Sequence, residues 1–296
     1  MPPESITEAS SRIIQWALRE DVADRGDLTS QAVIPRDLQG RADLVARQEG
    51  VIAGLEVIET LVKHVSQSRA AVTFHSSIRD GEVVAPGGQV GEFSGSMRTM
   101  LTLERTALNF LQRLSGVATL ARAFTQLVQD LPCQIYDTRK TTPGWRLLEK
   151  HAAKCGGATN HRMGLHDAVM IKDNHLAALS QINPEHGTIR HAVGKAREAY
   201  PNDVEIEVEV DTLEQFEEAL LCDPDVILLD NMTNDQLRSA VRRRNETGKP
   251  IQLEASGGVT LSTVRGIGET GVDRISVGAI THSATALDIG LDYHFS

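Results

Sequence analysis

The sequence predicts an α/β protein whose two parts differ in architecture. From about residue 117 onward, short apolar segments alternate regularly with helical patterns, which is typical of parallel strands joined by helical crossovers. Before that point, strand-like segments follow one another with helices packed on one face, which is typical of an α+β layer. A chain of 296 residues can form one large domain or two of medium size.

The first part begins with an amphipathic helix over 5–20, where apolar residues recur at helical spacing. A polar loop through DRGDLTS follows. Strands are then predicted near 41–48, 70–76 and 89–94, with a helix near 54–65 between the first two. A long helix is predicted in RTMLTLERTALNFLQRL, where apolar residues again recur every three or four positions.

The second part repeats a strand followed by a helix. Its predicted strands are 134–139, 168–173, 204–210, 226–230, 251–255 and 274–278. Its predicted helices are 144–154, 188–199, 212–221, 234–246 and 260–269. Six such units without a G-x-G-x-x-G dinucleotide motif favour a barrel over an open, doubly wound sheet.

Alternation within these strands predicts a polar barrel interior. In VEIEVEVD the aliphatic residues share one face and the acids share the other, and IQLEAS shows the same pattern. If the aliphatic faces pack on helices, the interior holds Glu207, Glu209, Glu254 and Lys172. Buried carboxylates need cations, hydrogen bonds or a metal. The alternative for 204–211 is an exposed edge strand with a solvated acidic face.

The charge distribution predicts a pocket for small anions. The chain has a net charge of -10, yet residues 137–175 concentrate cations in short motifs. They are Arg139, Lys140, Arg146, Lys150, Lys154, Arg162 and Lys172. A focused cluster in an acidic protein favours a small, highly charged ligand and argues against nucleic acid as a partner.

Location and redox state follow from simpler features. The N-terminus MPPESITEASS has no apolar region of the kind found in secretory signals, and no run is long enough to span a bilayer. We therefore expect a cytoplasmic protein with no membrane partner. The three cysteines, Cys133, Cys155 and Cys222, are far apart and fit reduced, structural thiols.

Candidate functional residues fall at the carboxyl ends of the predicted strands, where parallel barrels bind ligands. The ends carry Thr138, Arg139 and Lys140; Lys172, Asp173 and Asn174; Glu209 and Asp211; Asp230 and Asn231; Ser256, Gly257 and Gly258; and Gly278 and Ala279. The last two ends, SGG and VGA, suit a phosphate, although a turn alone also requires glycine. Glu209 and Asp230 suit Mg²⁺, and the alternative is a salt bridge to Lys140 or Lys172.

Arginine and histidine side chains add to this site. The guanidinium groups of Arg105, Arg139 and Arg162 suit bidentate binding of carboxylate or phosphate. Because Arg105 lies on the long helix of the first part, it must reach the site across a domain or subunit boundary. We place His161 in the anion pocket and expect a structural role for His166.

Six segments together resemble the quinolinate phosphoribosyltransferase family (nicotinate-nucleotide pyrophosphorylase, carboxylating). They are ERTALNFLQRLSGVAT (104–119), DTRKTTPGWRLLEKHAAKCGGATNHRMGLHDAVMIKDNH (137–175), IEVEVD (206–211), LLDN (228–231), EASGGVT (254–260) and ISVGAITHS (275–283). The resemblance spans most of the chain, and every charged motif position is retained.

The resemblance implies a fold and a reaction. The fold would be an N-terminal open α/β sandwich in 1–116 and an incomplete, TIM-like α/β barrel in 117–284, with the tail 285–296 packing back on the first domain. The reaction would convert quinolinate and phosphoribosyl pyrophosphate to nicotinate mononucleotide, pyrophosphate and CO₂, with Mg²⁺, in de novo NAD biosynthesis. A homodimer would complete each site with the partner's Arg105.

The resemblance also implies roles for individual residues. Arg105, Arg139, His161, Arg162 and Lys172 would hold quinolinate, with Thr138 and Lys140 beside them. Ser256, Gly257, Gly258, Val277, Gly278 and Ala279 would hold the 5-phosphate. Lys140, Lys172, Glu209 and Asp230 would act in catalysis, and Glu209 and Asp230 would also hold the metal.

Three alternatives remain at this point. The chain could be a barrel lyase that forms a Schiff base through Lys172 or Lys140. It could be a non-catalytic paralogue with a binding or metal-transport role. It could also be a transferase that prefers nicotinate to quinolinate, against which only the number of cations argues.

Overall fold

The computed structural model describes residues 5–67, 69–201 and 204–294, so the first four residues of the N-terminus considered above lie outside the description. The chain divides into two compact units. The first unit comprises Met1–Arg122, Thr141–Gly157 and Ile280–Ser296, and the second comprises Ala123–Lys140 and Ala158–Ala279. Residues 141–157 thus group with the first unit although they follow the expected boundary near 116.

The α-helices of the described residues are α1 (Ile6–Val22), α2 (Leu28–Val33), α3 (Leu55–Ser66), α4 (Met97–Leu127), α5 (Arg146–Cys155), α6 (Asp173–Ile182), α7 (Ile189–Ala199), α8 (Leu213–Leu220), α9 (Asn234–Thr247), α10 (Val264–Gly268) and α11 (Ala279–His282). A short 3₁₀ helix covers Pro184–Gly187. The strands are β1 (Gln39–Ala46), β2 (Gly50–Val51), β3 (Val72–Ser76), β4 (Val83–Val84), β5 (Gln89–Ser96), β6 (Gln134–Tyr136), β7 (Val169–Ile171), β8 (Ile206–Val210), β9 (Val226–Asp230), β10 (Gln252–Ser256), β11 (Arg274–Ser276) and β12 (Ile289–His294).

The first unit contains a four-stranded antiparallel sheet in the order β12-β1-β5-β3. Strand β1 alternates buried and half-buried residues along its second half, as expected when one face of the sheet is covered more than the other. Helix α1 begins with a capping box in which Ser5 and Glu8 satisfy each other's backbone N–H groups. Strand β12, at the end of the chain, pairs with β1 from Arg41↔His294 to Ala46↔Ile289.

Helix α5 is held within the first unit by an ion pair between half-buried Arg113 and buried Glu149. The carboxylate of Glu149 is fully buried and accepts hydrogen bonds from Arg113 Nη2 at 2.7 Å and from Thr142 Oγ1 at 2.8 Å. Gly156 follows the last residue of the helix and lies against α4. Only glycine fits there, because a Cβ would lie 2.2 Å from the carbonyl oxygen of Ala118. The sequence between 141 and 157 therefore specifies packing on α4.

The second unit contains a six-stranded parallel sheet in the order β6-β11-β10-β9-β8-β7. Strand β8 lies between β7 and β9, so the alternative of an exposed edge strand for 204–211 is wrong. Among the described residues no ladder joins β6 to β7, and the barrel stays open there. The predicted fold class, an open α/β sandwich with an incomplete α/β barrel, is confirmed.

Local differences from the sequence prediction occur mainly at strand ends. The first two strands of the second unit stop at Tyr136 and Ile171, three and two residues earlier than predicted. Asp173 and Asn174 belong to α6, a helix that the sequence did not predict because its N-cap is Lys172 rather than a Ser, Thr, Asp or Asn. The helix predicted over 260–269 is limited to α10, preceded by a turn in which Thr263 N–H donates to Thr260 O.

None of the helices in the described residues combines the length and the apolar character needed to cross a bilayer.

Candidate active site

A cavity of about 410 Å³ lies at the carboxyl ends of the strands of the second unit. Parallel sheets of this kind gather their strand-to-helix loops at that end, so side chains from distant segments converge there. The cavity is lined by Thr138, Arg139, Lys140, His161, Arg162, Met170, Lys172, Glu209, Leu228, Asp230, Ser256 and Ser276. Its size is that of a small-molecule site.

Four cations line this cavity, and two of them are guanidinium groups close enough to affect each other. The Nε of Arg139 is buried and has no hydrogen-bond partner among the described residues. Arg162 donates from Nη1 to the carbonyl oxygen of Ala168 over 2.9 Å. Burial, followed by the charge of Arg139, lowers the pKa of Arg162. Two mutually repelling guanidinium groups, one with a free buried donor, suit an anion placed between them.

Carboxylates from neighbouring strands also line the cavity. Glu209, near the end of β8, forms an ion pair with the ammonium group of Lys172. Asp230, at the end of β9, accepts a hydrogen bond from Asn231 Nδ2 over 2.6 Å. The salt bridge considered as an alternative from the sequence is thus present for Glu209. Both carboxylates still line the cavity, so they remain available to a ligand.

Beneath the cavity, His161 contacts two buried acids. Its Nε2 lies 3.3 Å from Glu207 Oε2 and 3.2 Å from Glu254 Oε1. Both carboxylates are fully buried, and Glu254 also accepts a hydrogen bond from the hydroxyl of Ser276. The strand alternation predicted this inward orientation of Glu207 and Glu254. The sequence did not predict either residue as part of the site, because it does not show which side chain from another segment the two acids contact.

The proton on His161 is placed by its surroundings. Burial lowers the pKa of this imidazole, but the two carboxylates beside Nε2 raise it to about 10. The raised pKa favours an imidazolium, whereas the backbone N–H of Arg162, 2.8 Å from Nδ1, can donate there only when Nδ1 carries no proton. The geometry therefore places the proton on Nε2, between the two acids.

Asp137 fixes the loop that carries His161 and was not selected from the sequence. It is fully buried, and its carboxylate accepts from the backbone N–H of His161 at 2.9 Å and from Asn160 Nδ2 at 2.7 Å. An aspartate directly after a buried strand could have indicated this loop-holding role, because a buried carboxylate needs hydrogen-bond donors from neighbouring segments.

The geometry can be compared with known proteins. A family model described as "Quinolinate phosphoribosyl transferase, C-terminal domain" matches residues 117–292, and the corresponding N-terminal domain model matches residues 27–115. The chain belongs to the quinolinate phosphoribosyl transferase family. The family resemblance seen in the sequence is thereby confirmed.

Individual family members agree with this membership. A Bacillus subtilis protein named probable nicotinate-nucleotide pyrophosphorylase (carboxylating) is 41% identical over 285 residues, covering 96% of this chain and 93% of the relative. A rice protein named nicotinate-nucleotide pyrophosphorylase (carboxylating), chloroplastic, is 39% identical and covers 98% and 79%. The solved structure of the nicotinate-nucleotide pyrophosphorylase from Francisella tularensis superposes with a TM-score of 0.90 at 34% identity, covering 98% of both chains.

Within this quinolinate phosphoribosyl transferase chain, the predicted site residues separate into two groups. Those that line the cavity are Thr138, Arg139, Lys140, His161, Arg162, Lys172, Glu209, Asp230 and Ser256. Those that are not among its lining residues are Gly257, Gly258, Val277, Gly278, Ala279 and Arg105. Arg105 lies on α4 in the first unit, where its side chain is exposed. His166 is exposed and also lies outside the lining.

The cation cluster seen in the sequence divides between the units, which corrects the prediction of a single pocket for all seven. Arg146, Lys150 and Lys154 lie on α5 in the first unit, and Lys150 is fully buried there. The other four line the cavity. The segment looks continuous in the sequence, but the chain leaves the second unit at Thr141 and returns at Ala158.

The SGG segment has a backbone that only glycine allows. Gly257 has a φ of +96°, and a Cβ there would lie 2.1 Å from Asn231 Oδ1. The backbone N–H of Asn231 donates to Ser256 O over 2.9 Å, so the loops that follow β9 and β10 contact directly. This contact keeps Ser256 and Asp230 on the same side of the cavity.

Proposed function

We propose that this chain transfers the phosphoribosyl group of phosphoribosyl pyrophosphate to quinolinate, with loss of one carboxyl group as CO₂. The products are nicotinate mononucleotide and pyrophosphate. The observation that carries this proposal is the pairing of Arg139, with its unpartnered buried Nε, and Arg162 at a small cavity. Both substrates are polyanions, and guanidinium groups bind carboxylates in a bidentate manner.

The arginines and lysines of the cavity would bind the anionic groups. Arg139, Arg162 and Lys172 suit the two carboxylates of quinolinate, with Thr138 and Lys140 beside them. His161 would present its ring to the substrate from a fixed orientation, since Glu207 and Glu254 hold Nε2 and the Arg162 backbone holds Nδ1. Ser256, with Gly257, Gly258, Val277, Gly278 and Ala279, is proposed for the 5-phosphate.

The carboxylates opposite the cations would assist cleavage of the glycosidic bond. As pyrophosphate departs, positive charge develops on the anomeric carbon of the ribose, and Glu209 and Asp230 are placed to stabilise it. Lys172, paired with Glu209, would keep that carboxylate oriented. The pyridine nitrogen then forms the new bond to carbon and becomes cationic.

Decarboxylation follows from the cationic ring without a prosthetic group. The bond between the ring and the carboxylate next to the nitrogen breaks, its electron pair stays on the ring carbon, and CO₂ leaves. The neighbouring positive nitrogen stabilises this electron pair, and the carbon then takes up a proton. The protein contributes by binding that carboxylate and by keeping the pyridine ring in the orientation that the reaction needs.

Magnesium is proposed as the metal, and the donor set fits it. Glu209 and Asp230 offer hard carboxylate oxygens at an accessible cavity, which Mg²⁺ prefers together with phosphate oxygens and water. When bound, the ion would neutralise charge on the pyrophosphate leaving group. Glu209 already pairs with Lys172, so Asp230 is the more accessible of the two carboxylates for the metal.

The reaction is tested with quinolinate labelled in the carboxyl group next to the nitrogen. We expect the purified chain to release labelled CO₂ only when phosphoribosyl pyrophosphate and Mg²⁺ are both present. Arg139→Ala should lower kcat/KM for quinolinate by about 100-fold, the value of a charge-assisted hydrogen bond pair. Arg243→Ala is the matched control, because Arg243 is an exposed arginine of the same unit that pairs with Glu217.

The same assay separates the alternatives. Turnover of nicotinate but not quinolinate would overturn the substrate assignment. Trapping of a carbonyl substrate on Lys172 or Lys140 by borohydride would favour the Schiff-base lyase. Absence of turnover with either pyridine carboxylate in a folded protein would favour a non-catalytic role.

We further propose a homodimer in which Arg105 of one subunit completes the site of the other. Arg105 is exposed on the first unit and is not among the residues that line the cavity. Mixing inactive Arg105→Ala and Lys172→Ala proteins should restore up to about a quarter of the activity, since one site of each heterodimer escapes both changes. The matched control is Lys140→Ala mixed with Lys172→Ala, where both changes lie in the second unit and no recovery is expected. Absence of recovery in a verified Arg105→Ala and Lys172→Ala heterodimer would contradict the shared site.

A cytoplasmic location stays a prediction from the N-terminal sequence. The rice relative is named chloroplastic, so location varies within the family. Cell fractionation with an antibody to the chain would decide it.

A further inference from the structure

We propose that the first unit contains a binding site for a transition-metal ion, with Zn²⁺ as the best fit, formed by Asp80, His151 and Cys155. The three ligand atoms lie within 4.8 Å of one another. None of these residues takes part in the proposed phosphoribosyl transfer. The site is therefore separate from the proposed magnesium position at Glu209 and Asp230.

Two of the ligands come from one helix face. His151 and Cys155 are four residues apart on α5, and residues at this spacing project from the same side of a helix. The Sγ of Cys155 lies 3.5 Å from Nε2 of His151. The pair is thus already oriented toward a common point.

The third ligand comes from the turn between β3 and β4 and is held by backbone groups. The two carboxylate oxygens of Asp80 accept hydrogen bonds from the N–H groups of Gly54 and Leu55, each at 3.0 Å, at the start of α3. Oδ2 lies 3.1 Å from His151 Nε2. Such fixed orientation of a ligand carboxylate by outer hydrogen bonds is what metal sites require.

The separations suit a tetrahedral ion. Zinc bonds of about 2.1 Å to nitrogen and oxygen and about 2.3 Å to sulfur, at tetrahedral angles, require nitrogen–oxygen and nitrogen–sulfur separations of about 3.4 and about 3.6 Å. The observed separations are 3.1 and 3.5 Å. Small rotations of the side chains would seat the ion, and water would fill a fourth position.

The donor chemistry and exposure select the kind of ion. A thiolate with an imidazole favours zinc and similar ions, whereas Mg²⁺ and Ca²⁺ prefer oxygen donors alone. The negative charges of the thiolate and the carboxylate balance a divalent cation. The side chains of His151 and Asp80 are 31% and 18% exposed, so an ion can enter from solvent.

Binding of the ion would join three segments of the first unit, namely the turn at Asp80, the N-terminus of α3 and the helix α5. An ion that binds the folded state alone raises its stability by mass action. At about 100 times the dissociation constant, we expect Tm to rise by about 5 °C. The alternative for the same residues is an ion pair in which His151 Nε2–H donates to Asp80, with no metal affinity.

The test uses the full chain, freed of metal by chelation, and Co²⁺ as a spectroscopic probe for Zn²⁺. An equimolar amount of Co²⁺ should produce a thiolate-to-cobalt charge-transfer band and strong visible bands typical of tetrahedral coordination. Added Zn²⁺ should remove both, whereas Mg²⁺ should not. Cys155→Ser should abolish the charge-transfer band and weaken Co²⁺ binding by on the order of 100-fold. His151→Gln should weaken binding similarly.

Cys222→Ser is the matched control, because Cys222 is a partly exposed thiol like Cys155 and lies in the second unit. It should leave the bands unchanged. A band that persists in Cys155→Ser, that disappears in Cys222→Ser, or that never forms in the wild-type chain would overturn the proposal. Binding with nitrogen donors only, as at the stacked His186 and His191, would give no thiolate band and would also overturn it.

Discussion

At two places among the described residues, a histidine contacts two acidic or thiol side chains, and the two clusters differ in burial. In the second unit, His161 lies between Glu207 and Glu254, and the three side chains are 7%, 0% and 0% exposed. In the first unit, His151 lies between Asp80 and Cys155, and His151 is 31% exposed. We call these the buried cluster and the accessible cluster.

Burial determines what each cluster can do. In the buried cluster, water cannot solvate the carboxylates, so they depend on His161, on the hydroxyl of Ser276 and, for Glu254, on Arg274 at 4.0 Å. That dependence fixes the imidazole rigidly beneath the substrate cavity. In the accessible cluster, solvent can satisfy each group, so the proton can be exchanged for an ion. Similar donor groups thus serve orientation in one place and reversible binding in the other.

The largest expected difference between the clusters is in stability. His161→Leu should lower the free energy of unfolding by about 3 kcal/mol, because it leaves two buried carboxylates without the Nε2–H group beside them. His151→Leu should lower it by about 1 kcal/mol, since the partners of that histidine are reached by water. Urea unfolding of the two variants measures this. Equal losses would remove the distinction between the clusters.

The same two variants should differ in activity. His161→Leu should lower kcat/KM for quinolinate by about 100-fold, because the cavity loses a ring whose orientation the two acids and the Arg162 backbone fix. His151→Leu should leave it within about threefold of wild type, because the residue lies outside the cavity lining. Steady-state kinetics on folded protein is the measurement, and a large loss in His151→Leu would contradict the separation.

A smaller effect is expected from neutralising one acid of the buried cluster. Glu207→Gln keeps the shape of the side chain and leaves Glu254 to hold Nε2, so KM for quinolinate should rise by about 10-fold with little change in kcat. Glu254→Gln should behave similarly. The double variant should lose more than the product of the two single losses, since both acids contact the same nitrogen of His161. Strict additivity would show that they act independently of His161.

The smallest effect concerns pH and the accessible cluster. Hydrogen bonds to Asp80 and Cys155 raise the pKa of His151 to about 10, above the value near 6.5 expected when unfolded. The stabilisation is therefore fully present below pH 6.5 and is lost as pH rises through about 10. In metal-free protein, the stability difference between wild type and His151→Leu should shrink by about 1 kcal/mol between pH 7 and pH 10. A difference that does not change with pH would contradict the ion pair.

The sequence predicted the buried cluster in part and the accessible cluster not at all, for a physical reason. Alternation in IEVEVD and QLEAS requires Glu207 and Glu254 to point inward, because a strand has a period of two. The contact of both acids with His161 depends on the loop after β6, and Asp137 holds that loop in place. Asp80 and His151 are 71 residues apart, and no local pattern brings them together. The sequence predicted only a structural role for Cys155, because a His and a Cys four residues apart do not by themselves define a site.

The cation-rich segment shows a second limit of sequence reasoning. Its composition predicted one pocket, and four of its seven cations do line the cavity. The remaining three follow the helical period of α5, which packs in the first unit through Glu149 and Arg113. The sequence did not predict helix α6, because no Ser, Thr, Asp or Asn stands at its N-cap position. Proximity in the sequence therefore identified the group of cations, but it did not predict in which unit each cation lies.

The pairing of β12 with β1 has a consequence for synthesis of the protein. Arg41 meets His294, so the first sheet uses residues from both ends of the chain. At translation rates of about 5–20 residues per second, roughly 10–50 s separate the appearance of the two strands. During that interval one edge of β1 lacks its partner strand, while the strands of the second unit are being synthesised. The first sheet, although its first strand is synthesised early, is therefore completed only after the strands of the second unit.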